Sequence, residues 1–245
     1  MDFCVNHLSY WFPNCENNSL QGSLAECIDF NDWPKLSFIP AMQRRRLSPF
    51  AKISLFVAHE SASNSTVDLP IIFTSRHGDL HKTSDLLADL AEQTPVSPTA
   101  FSLSVHNAIP SLYSILTKNK QAINAISAGQ DTFFMGLVDA YARLTSGLAD
   151  EILFIHADQQ LPETYLGFKD EIQFPHAVAM ILSLPNNKSK CTDGEKISLT
   201  MTHQLSNSNH QLPAALAFIE WWLQKTEFFV FNSAQYQWAI DTNVQ

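Results

Sequence analysis

The sequence predicts an α/β protein with a mixed, mainly parallel β-sheet that is covered by helices. Short apolar runs of strand length alternate with longer stretches whose apolar residues recur at helical spacing. This alternation favours parallel pairing, because a crossover helix returns the chain to the same end of the sheet. Hydrophobic residues make up 45% of the 245 residues, so a sizeable core can be buried. We therefore expect one domain over residues 1–245.

Five stretches carry the spacing of helices. In the first, Phe50, Ile53 and Val57 belong to one broad apolar stripe. The second has leucines among charged residues and ends before Pro95, which cannot continue a helix. The fourth is apolar on every side, which is typical of a fully buried helix. The predicted helices are residues 47–60, 79–93, 109–118, 132–145 and 213–225.

Five short apolar runs are predicted to be strands. The first is rich in Ile and Phe, which suits a buried strand. The last two follow one another without an intervening helix, so the sheet is expected to end in an antiparallel pair. The aromatic segment 228–240 fits no pattern and receives no assignment. The predicted strands are residues 69–74, 122–128, 151–156, 177–184 and 196–202.

The charge balance argues against a nucleic-acid partner. The chain has 15 Lys and Arg against 24 Asp and Glu, a net charge of -9, which is the wrong sign for binding a phosphate backbone. The basic run Arg44-Arg45-Arg46 is either a solvated helix turn or a contact for an acidic carrier protein. No apolar stretch approaches the ~20 residues needed to cross a bilayer, so no membrane span is expected.

The cysteines indicate neither a metal site nor a disulfide framework. Cys4, Cys15, Cys27 and Cys191 form no CxxC pair, and none lies near a histidine at zinc-finger spacing. They are expected to be reduced thiols. Residues 1–10 lack the basic start of a secretory signal, so we expect a cytoplasmic protein. The sequence predicts no metal and no cofactor.

A sharp turn from a strand into a very apolar helix is predicted at Ala128-Gly129-Gln130. Many enzymes place a nucleophile at such a turn, because free backbone N–H groups and the helix dipole stabilise a thiolate or an oxyanion there. Gln130 has a neutral amide that cannot be acylated, so a catalytic turn of the usual kind is excluded. Taken alone, Gln130 has either a structural or a functional interpretation.

Residues 107–130 resemble, without gaps, the signature of β-ketoacyl synthases. Asn107 matches the Asn of that signature, Ile115 matches the Ile on the following helix, and Gln130 falls on the nucleophilic Cys. Gln at this place is typical of the chain length factor, the inactive partner of the ketosynthase in type II polyketide systems. The resemblance therefore favours the functional interpretation of Gln130.

The resemblance covers residues 40–203 and implies the N-terminal half of the thiolase-like fold. It is strongest to the half-length chain length factors of bacterial aryl polyene clusters, a likeness carried also by residues 40–46 and 158–162. Residues 155–158 depart from the pattern, because they stand where ketosynthases have two glycines of the thioester site.

The resemblance implies a non-catalytic subunit that pairs with an active β-ketoacyl synthase as a heterodimer. Such a subunit stabilises the synthase, helps shape the acyl-chain cavity in aryl polyene biosynthesis, and meets the acyl carrier protein through the complex. The sequence has no His-Thr-Gly-Thr or Gly-His-x-x-Gly motif, and the half of the fold that would supply these histidines is expected to be absent. One alternative is a malonyl carrier-protein decarboxylase with Gln130 in place of the Cys. Another is an unrelated α/β hydrolase, for which no catalytic group is identifiable.

The resemblance also implies an interface. Ketosynthases dimerise through the strand before the turn, and the corresponding strand here has no charge or Pro to block pairing, although a buried core strand has the same pattern. The implied interface residues are Asn107, Ile123, Asn124, Ala125, Ile126, Phe133 and Phe134.

In the resembling family the helix after the turn lies between two sheets, so helix 132–145 needs a cover. We expect segment 213–231 and the aromatic tail to supply it; the alternative is that these aromatic residues build an ordinary core. The aromatic residues concerned are Trp221, Trp222, Phe228, Phe229 and Trp238.

Overall fold

The computed structural model describes residues 1–13, 33–63, 65–186, 191, 194–203 and 212–242, so Cys15 and Cys27 lie outside the described residues. The strands are β1 (Asp2–Trp11), β2 (Ile71–Thr74), β3 (Ile123–Ile126), β4 (Glu151–Asp158), β5 (His176–Ser183), β6 (Glu195–His203), β7 (Phe228–Asn232) and β8 (Tyr236–Asp241). The α-helices are α1 (Ala41–Arg44), α2 (Pro49–Ala62), α3 (Leu80–Ala91), α4 (Pro98–Ser102), α5 (Ala108–Thr117), α6 (Thr132–Thr145) and α7 (Ala214–Gln224). Short 3-10 helices cover Gly129–Asp131 and Glu163–Phe168. In these parts of the chain, no helix has the length and apolar character of a membrane span.

The described strands form one eight-stranded sheet in the order β3-β2-β4-β5-β1-β6-β8-β7. Strand β2 pairs in parallel with β3 and β4. The remaining pairs, β4–β5, β5–β1, β1–β6, β6–β8 and β8–β7, are antiparallel. The predicted α/β class and mixed sheet are confirmed. The parallel part is smaller than predicted, because β1 and the β7–β8 hairpin, which the sequence left unassigned, pair antiparallel.

Strand β1 separates the two strands that were expected to pair with each other. Cys4 lies opposite Ser183 of β5 on one side and opposite Lys196 of β6 on the other, so the predicted β5–β6 pair is wrong. The alternation of side chains along β1 is interrupted where its register shifts between Asn6 and Ser9. His7 has a positive φ of 47° in this shift, and the broken period explains why the sequence pattern does not reveal a strand.

Helices cover both faces of the central sheet. All residues of β5 are buried, as expected for a strand with helices on both sides. Its side chains alternate between two cores. One face packs against α2, and the other packs against α6 and α7. The residues of the first face are Ala177, Ala179 and Ile181, and those of the second are Val178, Met180 and Leu182.

The C-terminal part of the chain covers α6. The ring of Phe133 lies 5.0 Å from that of Phe218 on α7, and Phe134 stacks on Trp238 of β8 at 5.0 Å. The expected cover by α7 and the aromatic tail is therefore confirmed, except that Phe228 is 58% exposed. Phe133 and Phe134 are 1% and 0% exposed, so their assignment to a partner interface is wrong. Both side chains fill the core of this chain.

A disulfide joins Cys4 to Cys191, so the expectation of reduced thiols is wrong for this pair. Cys4 lies in β1 and Cys191 lies shortly before β6, and the pairing of β1 with β6 brings the two cysteines together. A Cβ at Gly194 would lie 2.5 Å from the Cys4 sulfur, so glycine is required beside the bond.

Candidate functional site

The strand-to-helix turn between β3 and α6 lies where the sequence predicts it. Gly129 has φ of +60°, a left-handed conformation that glycine adopts without steric cost. Thr132 stabilises the turn with two hydrogen bonds. Its Oγ1 accepts one from the N–H of Ala128 (2.9 Å) and donates one to the carbonyl of Gly129 (2.7 Å). Behind the turn, Asp131 is buried and accepts a hydrogen bond from Trp238 Nε1 at 2.7 Å. The turn is therefore fixed to both α6 and the C-terminal hairpin.

Gln130 is half-buried and uses both ends of its amide. Nε2 donates to Asp170 Oδ2 at 3.4 Å, and Oε1 accepts from the backbone N–H of Ala234 at 3.2 Å. Among the described residues, no hydrogen bond joins Gln130 to a histidine. A neutral amide in these contacts offers neither a nucleophile nor a proton acceptor for acyl transfer.

Arg76, the second residue after β2, joins two carboxylates near Gln130. Its guanidinium donates to Asp170 at 2.7 Å, and Nη1 lies 2.9 Å from Glu171 Oε1. Burial raises the pKa of Glu171 to about 7, although the charge of Arg76 opposes this rise. For the more exposed Asp170, the hydrogen bond from Arg76 lowers the pKa. The two carboxylates on one guanidinium therefore respond differently to pH.

The adjacent ends of β4 and β5 bring together His156, Asp158 and His176. One ligand atom from each of the three lies within 4.8 Å of the others. His156 Nε2 is 3.3 Å from Asp158 Oδ2, and Asp158 is directly opposite His176 in the β4–β5 ladder. Burial lowers the pKa of His176 to about 4, so the imidazole is neutral at pH 7.

Asp158 also holds the segment that follows β2. Its Oδ1 accepts hydrogen bonds from Ser75 Oγ (2.8 Å), the N–H of Arg76 (3.0 Å) and the N–H of His77 (3.3 Å). Burial by itself would raise the pKa of Asp158, but the hydrogen bond and charge of His156, with the backbone N–H of Arg76, keep it well below its usual range. Asp158 is thus a carboxylate at the centre of the site.

Strand β3 lies at one edge of the sheet, and all four of its residues are half-buried. The carbonyls of Ala122 and Ile126 accept hydrogen bonds from Ile71 and Ser75, so these groups face β2. Because successive residues of a strand direct their backbone groups to opposite sides, those of Ile123 and Ala125 face the free edge. By the same alternation the backbone of Asn124 faces β2, and its side chain donates to Asp139 on α6 at 3.0 Å.

Among the described residues, no hydrogen bond joins Gln130 to Asn107 or to the basic run. Asn107 is exposed at the start of α5, where its side chain makes no capping hydrogen bond, and its place in an interface stays a prediction. In the basic run, Arg44 donates to the carbonyl of Leu36 at 3.2 Å, whereas Arg45 and Arg46 are exposed. One of the three arginines therefore has a structural contact, and the other two remain available to a carrier protein.

Sequence reasoning did not identify the group formed by His156, Asp158 and His176. A signal was present, because residues two apart on a strand share a face and His156 and Asp158 end β4. Recognising the third member requires the β4–β5 register, which sequence pattern alone does not supply.

Comparisons with known proteins agree on one fold. Residues 20–239 match the family described as β-ketoacyl synthase, N-terminal domain. The ketosynthase (ApeO) in complex with its chain length factor (ApeC) from Xenorhabdus doucetiae is similar to this chain with a TM-score of 0.80 and 25% identity, over 98% of this chain and 99% of that chain. No curated protein sequence matches significantly.

Two more distant structures show the fold alone. The ishigamide ketosynthase/chain length factor has a TM-score of 0.57 and 12% identity, over 84% of this chain and 68% of that chain. A β-ketoacyl synthase from Burkholderia phymatum STM815 has a TM-score of 0.61 and 9% identity, over 90% of this chain and 69% of that chain. The resemblance of the sequence to ketosynthases and chain length factors is confirmed.

Proposed function

Since the chain belongs to the family of β-ketoacyl synthase N-terminal domains, we propose that it is a non-catalytic chain length factor. In this role it pairs with an active β-ketoacyl synthase, stabilises that subunit and helps shape the cavity in which the acyl chain grows. The class of product is an aryl polyene, and the acyl carrier protein reaches the chain through the complex.

The observation that carries the proposal is Gln130 at the turn where the family has its nucleophile. Both ends of its amide are hydrogen-bonded within the chain, to Asp170 and to Ala234. Acyl transfer at this position requires a thiolate or hydroxyl and a base, and an amide replaces neither. Similarity along nearly the whole chain to a complex of a ketosynthase with its chain length factor gives the proposal its partner.

The edge of β3 is the proposed contact with the synthase. Ile123 and Ala125 present backbone N–H and C=O groups that have no strand opposite them among the described residues. An added strand would satisfy these groups and extend the sheet across the interface. The decarboxylase alternative gains no support, because the Gln130 amide is occupied by contacts of this chain.

Co-expression with candidate β-ketoacyl synthases, followed by native mass spectrometry, tests the proposal. We expect a 1:1 complex with one synthase, and chain elongation on carrier protein by the complex but not by the chain alone. Condensation by the purified chain alone would overturn the non-catalytic role. If the chain binds no synthase in a set that includes synthases of aryl polyene type, the proposal that its partner is a β-ketoacyl synthase is wrong.

A further inference from the structure

The ends of β4 and β5 hold three side chains whose possible metal-ligand atoms face one another. His176 Nδ1 lies 2.7 Å from the carbonyl of Phe174, an acceptor, so Nδ1 carries the proton and Nε2 carries a lone pair. Thr74 Oγ1 lies 3.2 Å from the carbonyl of Ile155 and 2.9 Å from His156 Nδ1, so the Nε2 edge of the His156 ring is the one turned toward Asp158. The Nε2 edges of both rings and the Asp158 carboxylate therefore face one another, and one possible ligand atom from each residue lies within 4.8 Å of the others.

The environment of His176 Nε2 is a second indication that this group can bind an ion. It is a buried atom with no hydrogen-bond partner among the described residues, on a side chain that is 1% exposed. A buried polar atom without a partner costs free energy, so native proteins rarely leave one unpaired. A proton on His156 would satisfy Asp158 but would leave His176 as it is, whereas a cation at the centre would satisfy all three.

We propose that His156, Asp158 and His176 bind one divalent transition-metal ion of the Zn²⁺ type. Two imidazole nitrogens and one carboxylate oxygen form a set that suits Zn²⁺, and water would complete a tetrahedral shell. Ligand atoms around such an ion lie roughly 3.3 Å apart. The three atoms now lie within 4.8 Å of one another, so small side-chain rotations would close the site. This site is independent of the proposed function.

The surroundings of the three ligands are those of a metal site. Each ring directs its Nδ1 to a protein oxygen, Thr74 Oγ1 for His156 and the Phe174 carbonyl for His176, which is how metal-binding histidines are usually oriented. The carboxylate is oriented as well, because Oδ1 takes hydrogen bonds from Ser75 and the N–H groups of Arg76 and His77, while Oδ2 shares the N–H of Arg76 at 3.0 Å and lies 3.3 Å from His156 Nε2. The nearby positive charge of Arg76 is paired with the ionised Asp170 at 2.7 Å, which reduces its repulsion of a cation.

Metal binding by the full-length purified chain tests this site. After treatment with a chelator, the wild-type chain should take up one equivalent of Zn²⁺ and melt at a higher temperature with the ion bound. Mg²⁺, which prefers an all-oxygen shell, should have no such effect. His176→Gln should weaken Zn²⁺ binding at least ~10–100-fold, the loss seen when even an outer partner of a metal ligand is removed. His203→Gln, the same substitution at an exposed histidine of β6, should bind Zn²⁺ like the wild type.

Two results would overturn the proposal. One is a wild-type chain that takes up no Zn²⁺, and the other is a folded His176→Gln chain that retains wild-type affinity, which would mean adventitious surface binding only. If His176→Gln fails to fold by circular dichroism, the wild-type chain with Co²⁺ decides the matter. The visible absorption of tetrahedral Co²⁺ supports the site, and its absence refutes it.

Discussion

At the scale of single residues, variants of Gln130 distinguish a structural role of the turn from a catalytic one. Its amide makes two hydrogen bonds, of 3.4 and 3.2 Å, from a half-buried position. We predict that Gln130→Ala leaves pairing with the synthase nearly unchanged, because losing such bonds costs only about 1 kcal/mol. Gln130→Cys should support no condensation by the chain alone, because no base accompanies the new thiol. Binding and product assays on both variants measure these outcomes.

The two variants control for each other. Gln130→Ala removes the hydrogen bonds without adding a nucleophile, so any gain specific to Gln130→Cys must come from the thiol. Condensation product from Gln130→Cys in the absence of the synthase would mean that a base is present, and the chain would then be a disabled enzyme.

Glu171 should make the stability of the chain depend on pH. Burial raises its pKa from 4.5 to about 7, among the charges of Arg76, Asp158 and Asp170. Between these two values the native state keeps a proton that the unfolded state has lost, so the contribution of Glu171 to stability falls as pH rises through this window. The loss is on the order of 2 kcal/mol, and Glu171→Gln should remove it. Denaturant unfolding of both chains at pH 5 and pH 8 gives the comparison.

Asp170→Asn is the matched control, because Asp170 pairs with the same arginine. The hydrogen bond from Arg76 lowers its pKa below 3.8, so Asp170 is ionised in both states between pH 5 and 8. Because the charge of Asp170 is the smallest of the influences on the pKa of Glu171, this variant should keep most of the wild-type difference between the two pH values. Equal pH dependence in wild type and Glu171→Gln would show that Glu171 is ionised throughout.

The parts of the site that depend on local sequence were predictable, and those that depend on strand register were not. Gln130 could be placed because a strand, a glycine and an apolar helix follow one another within a few residues. Glu171 lies in the connection between β4 and β5, whose path has no periodic signal, and His176 reaches the site through the register of β5 on β4. The burial of Phe133 and Phe134 depends on α7 and β8, far along the chain, so an interface was predicted in error.

At the scale of elements, the free edge of β3 is the proposed contact with the synthase. Ala125→Pro removes one N–H from this edge and puts a ring where a partner strand must approach. A partner carbonyl left without its donor costs ~1–3 kcal/mol, which weakens binding roughly ten- to a hundredfold. The fold should tolerate the change, because the Ala125 N–H points away from β2. Titration calorimetry with the synthase measures the loss.

Val230→Pro is the corresponding change at the opposite edge of the sheet. Glu227 and Ser233 exchange backbone hydrogen bonds with the β8 side, so the N–H of Val230, three residues from each, faces away from β8. This variant should bind the synthase normally. Unchanged affinity of a folded Ala125→Pro chain, judged by circular dichroism, would exclude β3 as the interface.

The elements that the sequence predicted are those with an uninterrupted period. Helix α6 covers Thr132–Thr145, the predicted range, because its apolar pattern is continuous. Strand β1 was not predicted, because its register shift interrupts the alternation of side chains. Strands β7 and β8 were not predicted, because aromatic residues lie on both faces of this short hairpin. Tertiary packing rather than local preference makes these segments strands.

At the scale of the whole molecule, β1 joins the two parts of the sheet. On one side it pairs with β5, the strand that has helices on both faces. On the other side it pairs with β6, which itself pairs with β8 of the C-terminal hairpin that covers α6. The disulfide from Cys4 to Cys191 lies at this junction and closes a loop of 187 residues. A cross-link that closes so long a loop restricts the unfolded chain strongly.

We therefore predict that the double variant Cys4→Ser, Cys191→Ser is folded but less stable. The expected loss is ~2–4 kcal/mol, or roughly 5–15 °C in melting temperature for a chain of this size. Thermal unfolding of the wild type with a thiol reductant should show the same loss, because reduction opens the same loop. The reductant should leave the double variant unchanged, which separates opening of this bond from other effects of the reductant. A wild-type chain that melts at one temperature with and without reductant, and in which Cys4 and Cys191 react as free thiols, would mean that the bond does not form in the isolated protein.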